Sequence, residues 1–167
     1  MYGHRRVKEV MVPFQNCPAV QEDVPLKEAL AAIRSGNVEE DGFWSGLHPL
    51  IVLNRKKKPV GILSLQSFFG ALPRLSSRRE KGRFFSREGR FLSGGKRKAA
   101  GGGLLVRHVM RPLGRVKAAA EEPVLSAALK MLSCRVNSLP VLEDGQMIGI
   151  IRTIDVFQVI GELLAEN

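Results

Sequence analysis

The sequence predicts a mixed α/β fold of the α+β type, built from two copies of one β-α-β-β-α unit packed against each other. Three observations carry this reading. The chain of 167 residues repeats itself. Each copy holds an amphipathic helix pattern, then two strand patterns, then a second helix pattern. Each copy, at about 60 residues, is too small to bury a comfortable core alone, so pairing the two is the way to bury both.

The repeat opens on "VKEVMVP" (residues 7–13) and "VRHVMRP" (residues 106–112), 99 positions apart. The same spacing aligns Ala19 with Ala118, Glu22 with Glu121, Leu26 with Leu125, Ala29 with Ala128 and Leu30 with Leu129, which predicts a run of about 30 residues without a gap. Further on, Leu50 matches Leu139 at a spacing of 89, and Gly61 matches Gly149 at 88. The first copy is therefore expected to carry a ten-residue insertion and one extra turn residue. The insertion falls within residues 36–48, "GNVEEDGFWSGLH", a polar stretch with glycines where a surface loop tolerates extra length. The units are 1–73 and 104–167, joined by 74–103.

Within each unit a short extended segment comes first. The helix after it is "DVPLKEALAAIRSG" in the first copy, with Asp23 as the expected N-cap, Pro25 in the first turn, and Leu26, Ala29, Leu30 and Ile33 as the expected core stripe. "EEPVLSAALKMLSC" repeats that design, with Leu125, Ala128, Leu129 and Leu132. "LPVLE" and "QMIGII" then read as strands of a hairpin turning at Asp144-Gly145, because both positions of such a turn need positive φ. The closing helix runs from near Thr153 to about Leu164, with Ile154, Phe157, Ile160 and Leu164 as its expected core stripe.

The net charge of +10 is concentrated in one segment. Eleven of the 26 Lys and Arg, against two Glu, lie in residues 74–107, so the rest of the chain is almost neutral. Residues 74–103 hold seven glycines and no sustained period, which reads as a flexible linker. Phe84, Phe85 and Phe91 are interleaved there with arginine and serine, so the alternative function is a scaffold whose basic 74–107 segment binds nucleic acid or another polyanion. No apolar run is long enough to span a membrane and the start lacks a signal-peptide core, which gives the cytoplasm as the expected location. Cys17 and Cys134 read as reduced thiols without metal-ligand spacing, and His4, His48 and His108 stand at no triad spacing, so no enzyme is expected.

The opening motifs, the order of elements, and "SLPVLEDGQMIGIIRTIDVF" closing the second copy together resemble the CBS domain, named for cystathionine beta-synthase, in the tandem arrangement called a Bateman module. The resemblance implies two copies about a pseudo-twofold axis, with adenosine-containing ligands such as AMP, ADP, ATP or S-adenosylmethionine in the clefts between them. It also implies no catalysis, no cofactor, a regulatory role toward some effector protein, and homodimers paired through the helices.

The family's ligand signature is a glycine, a Ser or Thr three residues on, and an Asp six residues on. The second copy supplies Gly149 and Asp155, puts Arg152 at the hydroxyl position, and has Thr153 one place later. The first supplies Gly61 and Ser64 but has Ser67 in place of the Asp. The segment after the opening motif lines the adenine pocket in the family, which points to Ala19, Val20, Val116 and Ala118, with Pro140 on the following strand completing the expected set. A carboxylate at Asp155 suits a ribose diol, and Arg152 suits phosphate. The competing reading is plain helix capping at Asp155, Ser64 and Ser67. Met11 and Met110 are expected in the core, Phe43 and Trp44 on a neighbouring apolar face, and residues 55–58, "RKKK", at a solvated hairpin tip.

Overall fold

The computed structural model describes residues 5–36, 48–75 and 103–165. His4, the body of the insertion with Phe43 and Trp44, and residues 76–102 with Phe84, Phe85 and Phe91 lie outside the described residues, and so does nearly all of the expected linker. The first half comprises α1 (Val7–Val10), β1 (Val12–Pro13), a 3-10 turn (Phe14–Asn16), β2 (Ala19–Gln21), α2 (Leu26–Gly36), β3 (Leu50–Leu53), β4 (Pro59–Leu63) and α3 (Leu65–Leu75). A 3-10 turn at Val106–His108 opens the second half, followed by β5 (Arg111–Pro112), β6 (Ala118–Ala119), α4 (Val124–Cys134), β7 (Ser138–Glu143), β8 (Gln146–Arg152) and α5 (Thr153–Ala165).

The strands form two four-stranded sheets, in the orders β2-β3-β4-β5 and β1-β8-β7-β6. The sheets do not divide at the middle of the chain. β1 pairs antiparallel with β8, Val12 opposite Ile150, while β5 pairs with β4, Arg111 opposite Ile62. Each half thus lends its opening segment to the sheet of the other. Backbone hydrogen bonds repeat the exchange on both sides: Val7 N–H donates to Glu122 O and Val124 N–H to Arg5 O, and correspondingly Val106 N–H donates to Val24 O and Leu26 N–H to Leu104 O. The first N–H groups of α2 and α4 find their acceptors in the other half, so neither helix needs a side-chain cap there.

This corrects the expectation for Asp23, whose carboxylate instead accepts from Arg107 in the exchanged segment and from Arg55 Nε at 2.9 Å. The counterpart pair, Lys8 with Glu121, stands at the same place on the other side. The cations beside Asp23 and Glu121 hold both carboxyls below the usual range, led in each case by the direct hydrogen bond. Being solvent-exposed, these pairs fix register more than they stabilise.

The motif glycines are where the exchanged segments cross. A Cβ on Gly149 would collide with Val12 O and come within 2.9 Å of Met11 Sδ; one on Gly61 would come within 2.8 Å of Arg111 O and of Met110 Sδ. The pairing of "VMxP" with a glycine some 40 or 50 residues later, flagged by sequence as two separate signals, is one contact. Met11 and Met110 pack against the core of the opposite half, as do the buried Val7 and Val106. A third apolar cluster, Ile51, Ile62 and Ile150 with Phe14, Leu53, Leu113 and Met147 at its edge, joins the two sheets.

Two sequence expectations are corrected by registers. Ala19 stands opposite Ile51, but the residue opposite the equivalent Pro140 would be Lys117, because Ala118 is opposite Val141. The second copy is therefore one residue shorter between β5 and β6, and from there on the repeat runs at a spacing of 98: Pro25 corresponds to Pro123 and Leu26 to Val124. The ungapped alignment carried the core stripe of α4 one residue too far. Its buried residues are Val124, Ala127 and Met131, whereas Leu125, Leu129 and Leu132 are exposed. In α5 the buried face is Asp155, Val156 and Val159, while Ile154, Phe157 and Leu164 are exposed; Leu30 of α2 is exposed too. These helices are apolar on more than one face, so periodicity alone could not choose the inner one. The hairpin at Asp144-Gly145 has the expected positive φ at both residues, 48° and 79°.

Two glycines in one hairpin-helix unit should respond oppositely to alanine. Gly149→Ala is expected to destabilise by roughly 1 to 3 kcal/mol through overpacking. Gly161→Ala, mid-helix in α5 with open space around it, is expected to stabilise by about 0.5 to 1 kcal/mol. Urea unfolding of the two variants checks both signs.

Candidate functional site

Where β8 gives way to α5, Arg152 takes the N-cap position and Asp155 the third helical one. Asp155 is only 5% exposed. Its Oδ2 accepts from Arg152 N–H at 2.8 Å and from Arg152 Nε at 2.9 Å, and Oδ1 accepts from Arg152 Nη2 at 2.5 Å. The carboxylate therefore caps the helix and grips the guanidinium along one edge, a bidentate arrangement that fixes the guanidinium plane. The first copy uses serines for the same cap: Ser67 Oγ accepts from Ser64 N–H at 3.1 Å, and the two hydroxyls are 3.4 Å apart. Without the carboxylate no cation is held there.

Arg152 opens onto a cleft of roughly 450 Å³ between the halves, a size suited to a small ligand. Cys17, Pro18, Ile33, His48 and Leu50 line it from the first half, with Val12 of the exchanged strand, and Ile150 and Arg152 from the second. Gln15, Asn16 and Pro49 complete the lining. Arg152 Nη1 lies 2.5 Å from His48 Nδ1 across the cleft.

Of the residues expected from sequence, the structure brings Arg152 and Asp155 together at this cleft and Ser64 and Ser67 together at its pseudo-symmetric counterpart. Thr153 Oγ1 donates to Asn137 O at 3.1 Å. Pro140 is buried in β7 opposite Ile150. Ala118 is buried in the second-half core with Val116 packed against it, Val20 packs on the first-half core, and Ala19 is exposed. Sequence reasoning missed Cys17, Ile33, Leu50 and above all His48, dismissed as a scattered histidine. One signal was present: His48 and Asn137 hold the same place, two residues before the first buried leucine of their strand pairs.

The counterpart of Val12 is Arg111, and the exchange makes the two sides unlike. Where Val12 lines an open cleft, Arg111 Nη2 reaches over to donate to Ser138 O at 2.5 Å. Burial depresses the Arg111 guanidinium below the ordinary arginine value, with Cys134 opposing the shift.

Cys17 lies in the cleft wall with its thiol directed at Pro13 O, 3.4 Å away. Burial, opposed by the Arg152 charge, pushes the thiol up to about 11. At neutral pH its thiolate fraction is then roughly a hundredfold below that of a free cysteine. Iodoacetamide is expected to label Cys17 correspondingly slowly at pH 7.5, with a rate rising tenfold per pH unit up to about 11, followed by peptide mass spectrometry. Labelling at the free-thiol rate would contradict the packed thiol.

The family model of the CBS domain matches residues 7–74 and 106–162, and no catalytic family is indicated. Solved structures of the same fold include CBSX2 in complex with AMP, 20% identical with TM-score 0.62 over 95% of this chain and 98% of that one. The CBS domain pair of protein MJ0100, in complex with 5'-methylthioadenosine and S-adenosyl-L-methionine, is 18% identical with TM-score 0.61 over 94% of this chain and 100% of that one. The CBS domain protein TA0289 from Thermoplasma acidophilum is 19% identical with TM-score 0.65, over 97% and 76%. A sequence search of curated proteins finds no match. No helix among the described residues is long and apolar enough to cross a membrane. With both halves matched, their opening segments exchanged and a cleft between them, the chain belongs to the CBS domain family.

Proposed function

We propose that the protein is a regulatory module that binds one adenosine-containing ligand per chain in the cleft between Cys17, Ile33, His48, Leu50, Ile150 and Arg152. The observation that carries this is the contrast between the two sides. One offers an open cleft whose guanidinium is already oriented by Asp155; the other has Arg111 drawn across to Ser138 O. Apolar walls from Ile33, Leu50 and Ile150 suit a flat base, and Arg152 suits a polar tail. That CBSX2 and the MJ0100 pair were solved with adenosine compounds supports the class of ligand. Asp155 acts on the ligand chiefly through Arg152, since its four contacts to Arg152 occupy both oxygens.

Isothermal titration against AMP, ATP, S-adenosylmethionine and 5'-methylthioadenosine is expected to give one site per chain for at least one of them. Asp155→Ala should weaken it about 10- to 100-fold, the worth of a charge-assisted hydrogen bond. A variant with unchanged affinity and a lowered melting temperature would make Asp155 a cap alone and end this site assignment.

The outer faces of the helices support a homodimer. Leu125, Leu129 and Leu132 form an exposed stripe on α4, and Ile154, Phe157 and Leu164 one on the adjoining α5; Leu132 is 75% and Phe157 67% exposed. Contiguous apolar stripes on two packed helices exceed what a monomer surface ordinarily carries. Sedimentation at micromolar concentration is expected to give twice the chain mass, and the Leu129→Glu, Phe157→Glu double variant the chain mass with unchanged circular dichroism. A wild type found only at the chain mass would rule the dimer out.

A further inference from the structure

The contact across the cleft has a chemical direction. A guanidinium has no lone pair to offer, so Arg152 Nη1 donates and His48 Nδ1 accepts; the ring is neutral, with its proton on Nε2. The two residues come from different halves, His48 leading into β3 and Arg152 ending β8. Asp155 holds Arg152 by Nε and Nη2, which leaves the Nη1 edge and His48 for whatever enters between the halves.

We infer that Arg152 Nη1 and His48 form the subsite for a phosphate monoester on the ligand, and that His48 binds this phosphate in its protonated form. The inference rests on the reading of the cleft as an adenosine site. A phosphate oxygen that takes the Nη1 donor releases His48 Nδ1 to become a donor itself, and each cation then has an anionic partner. Among the described residues, the groups facing His48 are Arg152 from β8, Asp155 from α5 behind it, and Cys17 from the segment before β2, whose thiol is neutral at physiological pH. Neither the Arg152 donor nor the neutral thiol favours a charged imidazole in the free chain; a phosphate dianion does.

Binding of a phosphate ester is thus coupled to uptake of a proton. In the free chain the Arg152 hydrogen bond stabilises the neutral ring, which lowers the His48 pKa; in the complex the phosphate raises it. Between those two values a fall in pH protonates the complex before the free chain, so affinity rises as pH falls. The ligand phosphate begins to take up its own proton near pH 6, which sets the lower end of the window. A nucleoside without phosphate gives His48 no reason to charge.

Isothermal titration of the full chain with AMP and with adenosine, from pH 8 to pH 6.5, tests this in wild type and in His48→Gln, where the amide oxygen still offers Arg152 an acceptor. The wild-type Kd for AMP should tighten roughly tenfold over that range, while that for adenosine stays within about twofold. His48→Gln should flatten the AMP profile and leave adenosine unchanged. An AMP slope that survives in His48→Gln, or an equal slope for adenosine, overturns the subsite. If neither compound binds at any pH, the adenosine reading fails, and inorganic phosphate decides the subsite separately. The His48 ring signal, assigned by its loss in His48→Gln, should then titrate at higher pH with phosphate than without it. A ring that does not respond overturns the inference.

Discussion

The structure depends on two places where one backbone passes over another with nothing between them. At Gly149 the carbonyl of Val12 lies against the strand, and at Gly61 that of Arg111 does; any side chain would prise the crossing apart. Because each opening segment must reach the opposite sheet, the sheets, the helix starts and the cleft are all set by these crossings. The helix starts show it most directly, since the first N–H of α2 and of α4 is satisfied by a carbonyl of the other half. Buried backbone donors need acceptors, and here they find them only when both halves are present.

Much of this was legible in the amino-acid sequence, and the boundary of legibility is physical. The repeat, the hairpin at Asp144-Gly145 and the order of elements follow from local signals: periodicity, positive-φ residues, matched motifs. The exchange does not, because a short "VMxP" segment reads the same whichever sheet receives it. Likewise the inner face of α4 and α5 was misread because Leu129 and Phe157 are as apolar as the residues that are truly buried. Hydrophobic pattern identifies a face that avoids water, without saying whether its own core or another surface covers it. The single-residue shortening between β5 and β6 was hidden by alanines and leucines that match at either spacing.

The site shows the same division. Asp155 and Arg152 stood out because they interrupt an apolar run, and the structure joins them. His48 could not stand out, since its significance lies in what it meets from 104 positions away. A sequence motif shared by two copies draws attention to what they have in common. The open cleft owes its character to what they do not share: carboxylate against hydroxyl at Asp155 and Ser67, valine against arginine at Val12 and Arg111.

The exchanged segments also bear on how such a chain can arise and fold. A solitary copy would carry an opening strand with no sheet to receive it and a helix whose first donors lack acceptors, so its closed form is a pair of identical chains. Joining two copies end to end turns that encounter from a bimolecular event into an intramolecular one, at an effective concentration on the order of millimolar. Once the partner is always present, the two copies are released from having to be the same. One can lose a carboxylate, another can gain an arginine, and a symmetric pair of sites can become a single specialised one without endangering the fold that holds them.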